Sequence, residues 1–450
     1  MAQPRRRRTK RYRHNGDYRG IAVLLAVAVV IVGGVWGVSA LMDRADRPAA
    51  SSATPQVVTA QSASPAPSPS TEPTAQPTQQ APAGNTVRIR AAGDIIVYSS
   101  QIKYAEVDDG SYDFTRYFAD IAPYLSDADL TLANLEVPVY AGDTYAGYPS
   151  FNSPPELLTA LKGAGIDVLT TANNHANDRG FAGMKATLSA LDEAGFAHTG
   201  TCKTRQEAQD ILFLEKNGVK IAILAYTDFT NDSKGALEGD ERYCVNYFEL
   251  GKAKSDIAKA REQGAQAVIL CLHWGVEYDQ EPSQKQEQQA QELIASGADV
   301  IFGSHPHVLQ KAERVTATDA DGNSREGVVI YSMGNFFADQ RKTPRDSGVI
   351  MEVTLTLPEG ADRVQVGQSG CIPTFIYRYN NDLEQEDPQP RVPEDGSSPY
   401  RLLPVEPFLS EENLRQLDAI GQARIQQVWQ EAQSCFAGAV PVMSSASPSL

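Results

Sequence analysis

The sequence predicts an α/β body with largely buried strands, and three observations carry that reading. From Val87 onward, short apolar runs alternate with helical patterns that several glycines terminate, as strands interleaved with helices do. The runs are almost continuously apolar, which suits strands covered on both faces. Six of them release amide, carboxylate or imidazole side chains at their C-terminal ends, the edge where α/β sheets build their sites.

The segments ahead of the body have a different character. Residues 1–20 hold eight Lys or Arg against the single Asp17, a balance of +7, within a chain of 450 residues and net charge −16. The remainder therefore carries −23, and so acidic a body argues against nucleic acid as a partner. Ile21 to Met42 contains no charged residue. As a helix this span would rise about 33 Å, enough to cross a hydrocarbon core. The cationic cluster before it predicts a cytoplasmic N-terminus and an exported body. A cleaved signal peptide ending near Val38-Ser39-Ala40 is the competing reading; the length of the apolar run favours a retained anchor over 21–42. Residues 43–85 then collapse to Ala, Ser, Thr, Gln and Pro, with eight prolines between Pro48 and Pro82. That composition predicts a disordered, partly polyproline linker.

Within the body, strands are expected over Val87–Ala92, Leu130–Leu135, Asp167–Ala172, Lys220–Ala225, Ala267–Leu272, Val300–Gly303 and Val328–Ser332. Helices are expected over Pro155–Lys162, Met184–Glu193, Leu250–Gln263 and Gln284–Ser296. Asp94 follows the first strand, Asn134 and Glu136 close the second, and Asn173-Asn174-His175 closes the third. His273-Trp274-Gly275, Gly303-Ser304-His305-Pro306-His307 and Gly334-Asn335-Phe336 follow three more. The His-Pro-His loop puts two of the six histidines at i and i+2, with Pro306 biasing His305 towards extended backbone. Two imidazoles on one short loop point to a divalent metal.

These motifs, with Asp178, Glu277-Tyr278, Gln310 and Asp339-Gln340, make residues 87–345 resemble the CapA family of capsule (poly-γ-glutamate) synthesis proteins. That family has the calcineurin-like metallophosphoesterase fold. The resemblance implies a sandwich of two mixed β-sheets flanked by helices, with the site along one edge. It implies one or two divalent ions (Mn, Fe or Zn), held by Asp94, Glu136, Asn174, His273, His305 and His307. Glu136 would be the bridge, Asp94 and His307 would serve a first ion, and Asn174, His273 and His305 a second. His175 would be the general acid. The sequence departs from the wider pattern at Ile96, where a first-site histidine would stand, and in having Asn-Leu-Glu around the bridge.

Asn134, Asp178, Trp274, Glu277 and Asn335 are candidate substrate-contacting or ligand-orienting residues; Trp274 suits a core position as well, and Glu277 a solvated one. His198 has no partner motif and is expected to be structural. Among five cysteines, Cys271 is expected to be a buried thiol, and Cys371–Cys435 and Cys202–Cys244 to be disulfides of an exported body. The CapA-like domain is expected over 86–345, a C-terminal extension packed on it over 346–436, with a helix from Glu411 to Cys435, and a loose tail over 437–450. The resemblance implies a membrane-anchored, outward-facing protein that acts on an anionic surface polymer with membrane polymer-synthase subunits. Its centre would be a metal-dependent hydrolase or transferase; the alternative is a non-catalytic, polymer-binding accessory subunit.

Overall fold

The structure, a computed structural model, describes residues 84–107, 110–231, 237, 239–381, 392–436, 438 and 440–444. The basic tail, the apolar span and the linker as far as residue 83 lie outside the described residues. No described helix is long and apolar enough to cross a membrane.

Two mixed sheets form the centre of the molecule. The first contains β1 (Gly84–Ile95), β2 (Leu130–Leu135), β3 (Val168–Thr170) and β4 (Ala197–Thr199), parallel neighbours in that order. The second contains β5 (Leu212–Lys216), β6 (Val219–Thr227), β7 (Ala267–His273), β8 (Val300–Ser304), β9 (Leu309–Thr318) and β10 (Ser324–Met333), in the order β5-β6-β7-β8-β10-β9. Here β6, β7, β8 and β10 are parallel, and β5 and β9 close the edges antiparallel.

The period-2 alternation of each strand sorts its side chains between layers. Val87, Ile89, Leu132 and Val168 of the first sheet meet Ile221, Ile269, Val300, Phe302 and Ile330 of the second in one buried core. The outer face of the first sheet is covered by α1 (Glu156–Gly163) and α2 (Gly180–Glu193), through Leu157, Leu161, Leu188 and Leu191. On the second sheet, α3 (Leu250–Glu262) and α4 (Gln284–Ala295) bury Ile257, Leu293 and Ile294 against Leu224, Val268, Leu270 and Ile301. Each such aliphatic side chain contributes about 1.5–3 kcal/mol by leaving water. The sequence marks where α4 begins: Ser283 Oγ accepts the Gln286 N–H at 3.3 Å, and Gln286 Oε1 accepts the Ser283 N–H at 3.0 Å, a capping box.

The C-terminal segment is built into the first sheet, not laid upon it. After β11 (Asn335–Phe337), which runs beside the end of β1, come β12 (Ser347–Pro358), β13 (Gln365–Arg378) and β14 (Tyr400–Pro404). They extend the sheet in the order β14-β13-β12-β1, and β12 pairs with β1 from Gly84↔Pro358 to Ala92↔Ile350. The single helix expected from Glu411 is two pieces, Glu411–Leu414 and α5 (Ala419–Cys435). Asp418 starts the second by accepting the Gly421 N–H at 2.7 Å, an N-cap that requires non-helical backbone just before it. Part of the expected loose tail is held as well: Cys371 N–H donates to Pro441 O at 2.9 Å and Met443 N–H to Cys371 O at 2.8 Å.

All five cysteines are free thiols, which corrects both expected disulfides. Cys202 and Cys244 do lie opposite one another, with Cys202 N–H donating to Cys244 O at 2.9 Å. Their sulfurs turn to other partners, Tyr243 O at 3.4 Å and Glu241 O at 2.7 Å. Cys371 Sγ rests 3.5 Å from Met351 Sδ. Cys271 is a free thiol as expected, though half-buried where a fully buried one was expected.

Candidate metal centre

The parallel strands of both sheets deliver their C-terminal ends to one place. Two glycines permit the close approach this needs. A Cβ on Gly93 would meet Gly334 O at 2.0 Å, and one on Gly303 would meet Tyr331 O at 2.0 Å. Without side chains there, β1 lies against Gly334-Asn335 and β8 against β10, which bring Asp94 and the His-Pro-His loop together.

Asp94, Glu136, His273, His305 and His307 are all buried, along with Asn134, Asn174 and Asn335. His273 Nε2 stands 2.9 Å from Asn174 Oδ1, 3.1 Å from His305 Nδ1 and 3.5 Å from Glu136 Oε1. His307 Nδ1 is 3.2 Å from Asp94 Oδ2, and its Nε2 is 3.6 Å from Glu136 Oε1. Two triplets, Asp94–Glu136–His273 and Glu136–His305–His307, hold their ligand atoms within 4.8 Å of one another. Glu136 is common to both, as a bridging ligand must be. The resemblance grouped Asp94 with His307 and His273 with His305; the triplets cross that grouping, because the rings and carboxylates form one continuous cluster.

The cluster fits divalent cations on its own chemistry. Both oxygens of Glu136 are buried without a hydrogen-bond partner, an arrangement that costs free energy unless another group satisfies it. Around it, imidazole nitrogens and the Asn174 oxygen face each other with too few protons to go round. A cation satisfies all of these lone pairs together, and mixed carboxylate, amide and imidazole donors suit Mn, Fe or Zn.

The electrostatics point the same way. Burial would raise the Asp94 pKa, but the hydrogen bond and charge of His307, with His273 and Asn134, outweigh it and hold the carboxyl below its ordinary range. Glu136 is pushed well above its ordinary value, first by burial and then by Asp94. Burial, then repulsion between the rings, lowers His273 strongly and His305 to about 4. Both imidazoles are therefore neutral near pH 7, the form that binds metal.

The amides orient the ligands. Asn134 Nδ2 donates to Asp94 Oδ1 at 2.8 Å, and Ser304 Oγ lies 2.9 Å from His273 Nδ1. Asn335 Oδ1 stands 3.1 Å from His307 Nδ1, while its Nδ2 donates to Arg345 O at 2.7 Å. His305 (φ 98°), His307 (φ 57°) and Tyr278 (φ 68°) adopt left-handed backbone, so His305 departs from the extended conformation that Pro306 favours.

Beside the cluster opens a cavity of about 290 Å³, whose lining includes His175, His307, Ile96, Glu277, Tyr278 and Asn231. His175 Nδ1 is 2.8 Å from Asp178 Oδ2, which also accepts the Phe151 N–H at 2.7 Å. Asp178 is thus an orienting partner that leaves the other ring nitrogen of His175 for the cavity. Glu277 is exposed at the mouth, with no described bond to His273. Trp274 is not in the cavity at all. It is buried behind the site, stacked on Tyr331, with its indole N–H donating to Tyr331 O at 3.1 Å. Strand alternation explains the difference, since His273 and Trp274 point to opposite faces. His198 keeps away from the cluster, paired with Asp192 at 3.0 Å.

Asn231 was missed in the sequence. Its side chain lies 3.5 Å from His175, and its N–H donates to Asn174 O at 2.7 Å, but it follows no strand-end motif. Tyr148, on the cavity wall, and Phe229, 5.2 Å from the His305 ring, are exposed and also carried no local signal.

Comparison with known proteins adds to this geometry. Residues 88–340 match the family model described as bacterial capsule synthesis protein PGA_cap. The capsule biosynthesis protein CapA of Bacillus anthracis is 33% identical over 240 residues, covering 52% of this chain and 56% of that protein. The PGA biosynthesis protein CapA of Bacillus subtilis (strain 168) is 31% identical over 245 residues, covering 52% and 60%. The chain thus spans little more than half the length of these relatives. Among solved structures, a 5'-nucleotidase precursor from Thermus thermophilus is similar at 12% identity and TM-score 0.39, covering 64% of this chain and 54% of its own. The calcineurin-like phosphoesterase YfkN of Bacillus subtilis is similar at 15% identity and TM-score 0.38, covering 64% and 90%.

Proposed function

Because the chain belongs to the bacterial capsule synthesis protein family PGA_cap, we propose that it acts in making or exporting an anionic surface polymer, as a metal-dependent hydrolase or transferase. The observation that carries the reading is Glu136, with two unpartnered oxygens between two groups of histidine ligands, beside a cavity that His175 enters. Asp94, Glu136, Asn174, His273, His305 and His307 would hold the ions. The chemistry that divalent ions supply in such a site is polarisation of a phosphoryl or acyl oxygen and acidification of water. The chain's own residues do the rest. Asp178 holds the His175 ring through Nδ1, so that Nε2 can deliver a proton to a leaving group in the cavity. Asn335 and Asn134 fix the His307 and Asp94 side chains. Exposed Tyr148 on the cavity wall and Phe229 beside the His305 ring offer apolar surface to a bound chain.

The +7 tail and uncharged span of the sequence support an anchor with the body facing outward, near the membrane subunits of a polymer synthase. A second reading, a polymer-binding accessory subunit without turnover, draws on Ile96, which stands where the wider pattern has a ligand. The two separate experimentally. Metal content of the purified protein is measured beside turnover of a phosphodiester and of a γ-glutamyl oligomer, for wild type, His305→Ala and His175→Ala. The catalytic reading expects His305→Ala to lose metal and turnover together. It expects His175→Ala to keep metal and lose about 10²–10⁴ in rate. Wild-type protein that holds metal and turns over neither substrate leaves the accessory reading.

A further inference from the structure

The loop that joins β11 to β12, residues 338–346, runs beyond the stretch that the family model matches, yet it reaches the mouth of the cavity. Its Arg345 guanidinium carbon sits 3.2 Å from the centre of the Tyr278 ring. Tyr278 in turn is 6.1 Å from the His307 ring, and its N–H donates to Pro306 O at 2.7 Å. Stacking of this kind uses the face of the guanidinium and leaves its N–H edges free. Among the described residues, no carboxylate or carbonyl accepts from them.

The neighbouring charges are already committed. Asp346 is held by Arg424 of α5 at 2.8 and 2.9 Å, and Arg424 also reaches Glu431 at 2.8 Å. Asp339 faces Arg378 at 3.7 Å. Arg345 is therefore a held cation, and the C-terminal end of the loop is fixed twice, by Asn335 through the Arg345 carbonyl and by α5 through Asp346. The exposed carboxylate of Glu277 lines the same cavity and repels an anion there, so an oxyanion is held only where it contacts the guanidinium directly.

We propose that Arg345 forms a subsite for an oxyanion of the polymer chain, set away from the metal centre and presented by the C-terminal segment. The two ring separations put its guanidinium within about 9 Å of the His307 ring. An extended α-linked chain covers roughly 3.3–3.6 Å per residue and a γ-linked unit, with two more backbone atoms, covers more, so the group bound would lie about two units from the reacting bond. The subsite thus selects a chain over a monomer. This rests on the anionic-polymer reading above.

The test uses the full chain loaded with Mn²⁺ and labelled probes: a γ-glutamyl decamer, a γ-glutamyl dimer and a linear oligophosphate. Arg345→Gln should weaken the decamer roughly ten- to hundredfold, as expected for loss of a charge-assisted bond. It should change dimer binding little, and Arg345→Lys should recover part of the loss. A larger loss with the oligophosphate than with the decamer would identify the bound group as phosphate, and the reverse as carboxylate; either supports the subsite. Metal content and melting temperature, unchanged in the variants, show that the fold and centre are intact. Equal decamer and oligophosphate binding by wild type and Arg345→Gln overturns the subsite alone. Metal-loaded wild type that binds neither oligomer overturns the anionic-polymer reading, and the subsite with it.

Discussion

Replacing Glu136 with Gln is expected to stabilise the metal-free protein and destabilise it relative to wild type once metal is present. The magnitude follows from the site. A buried polar group without partners costs about 1–3 kcal/mol, more if charged, and neither Glu136 oxygen has a partner. Gln keeps the shape, carries no charge and brings an amide donor towards the His273 and His307 nitrogens, now 3.5 and 3.6 Å from Oε1. In chelator, Glu136→Gln should therefore be more stable by about 1–3 kcal/mol, a shift of a few degrees in Tm. Metal at about 1,000 times its Kd stabilises wild type by about 4.1 kcal/mol. The variant lacks the ligand common to both triplets and should gain little, so the order reverses.

The pH dependence gives an independent check. The folded-state pKa of Glu136 lies well above its ordinary 4.5, so the native metal-free protein binds this proton more tightly than the unfolded chain does. Its contribution to stability is present in full below 4.5 and is lost as pH rises towards the raised value. The chelator-state advantage of the variant should be small near pH 4.5 and widen above it. Thermal unfolding with and without Mn²⁺, with metal content measured in parallel, reads both effects. A variant less stable than wild type in chelator, or one that keeps wild-type metal, refutes the reasoning.

Three further outcomes are expected. Ile96→His, which places an imidazole in the cavity beside His307, should raise the metal retained after dialysis against limiting chelator; unchanged retention would mean that residue 96 does not limit the centre. Gly303→Ala drives a Cβ to 2.0 Å from the Tyr331 carbonyl and should destabilise by about 3 kcal/mol, at the upper end for overpacking, as read by denaturant unfolding. Arg424→Gln leaves Asp346 buried without its cation and should cost about 3–5 kcal/mol by the same measurement, with loss of decamer binding in folded protein.

Much of the site was legible because parallel strands leave a periodic trace. Each of β1, β2, β3, β7, β8 and β10 is an apolar run of known direction, so the residue that follows it falls at one shared edge. Asp94, Glu136, Asn174, His273 and His305 could be gathered on that basis. The same periodicity, applied one residue further, would have put Trp274 on the face opposite His273. What escaped was set by tertiary packing. Asn231 and Arg345 lie on loops without pattern, and their place depends on Asn174 and Asn335 reaching their backbones. The short helices Ser99–Ala105, Thr115–Phe118 and Ala122–Ser126 are too brief for a 3.6-residue period to register. The free thiols depended on sulfur orientation, which spacing along the chain does not encode.

The backbone at the cluster bears on whether the centre is in use. Left-handed conformations at His305, His307 and Tyr278 each cost on the order of 1–3 kcal/mol and persist only where the surroundings over-determine them. Here they do. Asp94 Oδ2 accepts the His305 N–H at 3.1 Å, Pro306 O accepts the Tyr278 N–H, and Asn335 holds the His307 ring. What the strained loop achieves is to turn two imidazoles towards Glu136, whose two oxygens have no hydrogen-bond partner. A fold that merely cradled a polymer would gain nothing from that geometry, and relaxing the loop would relieve strain and an unpaired acid together. The combined cost is intelligible if cations complete the cluster, which favours a working metal centre over a vestigial one even with Ile96 in the position of a ligand.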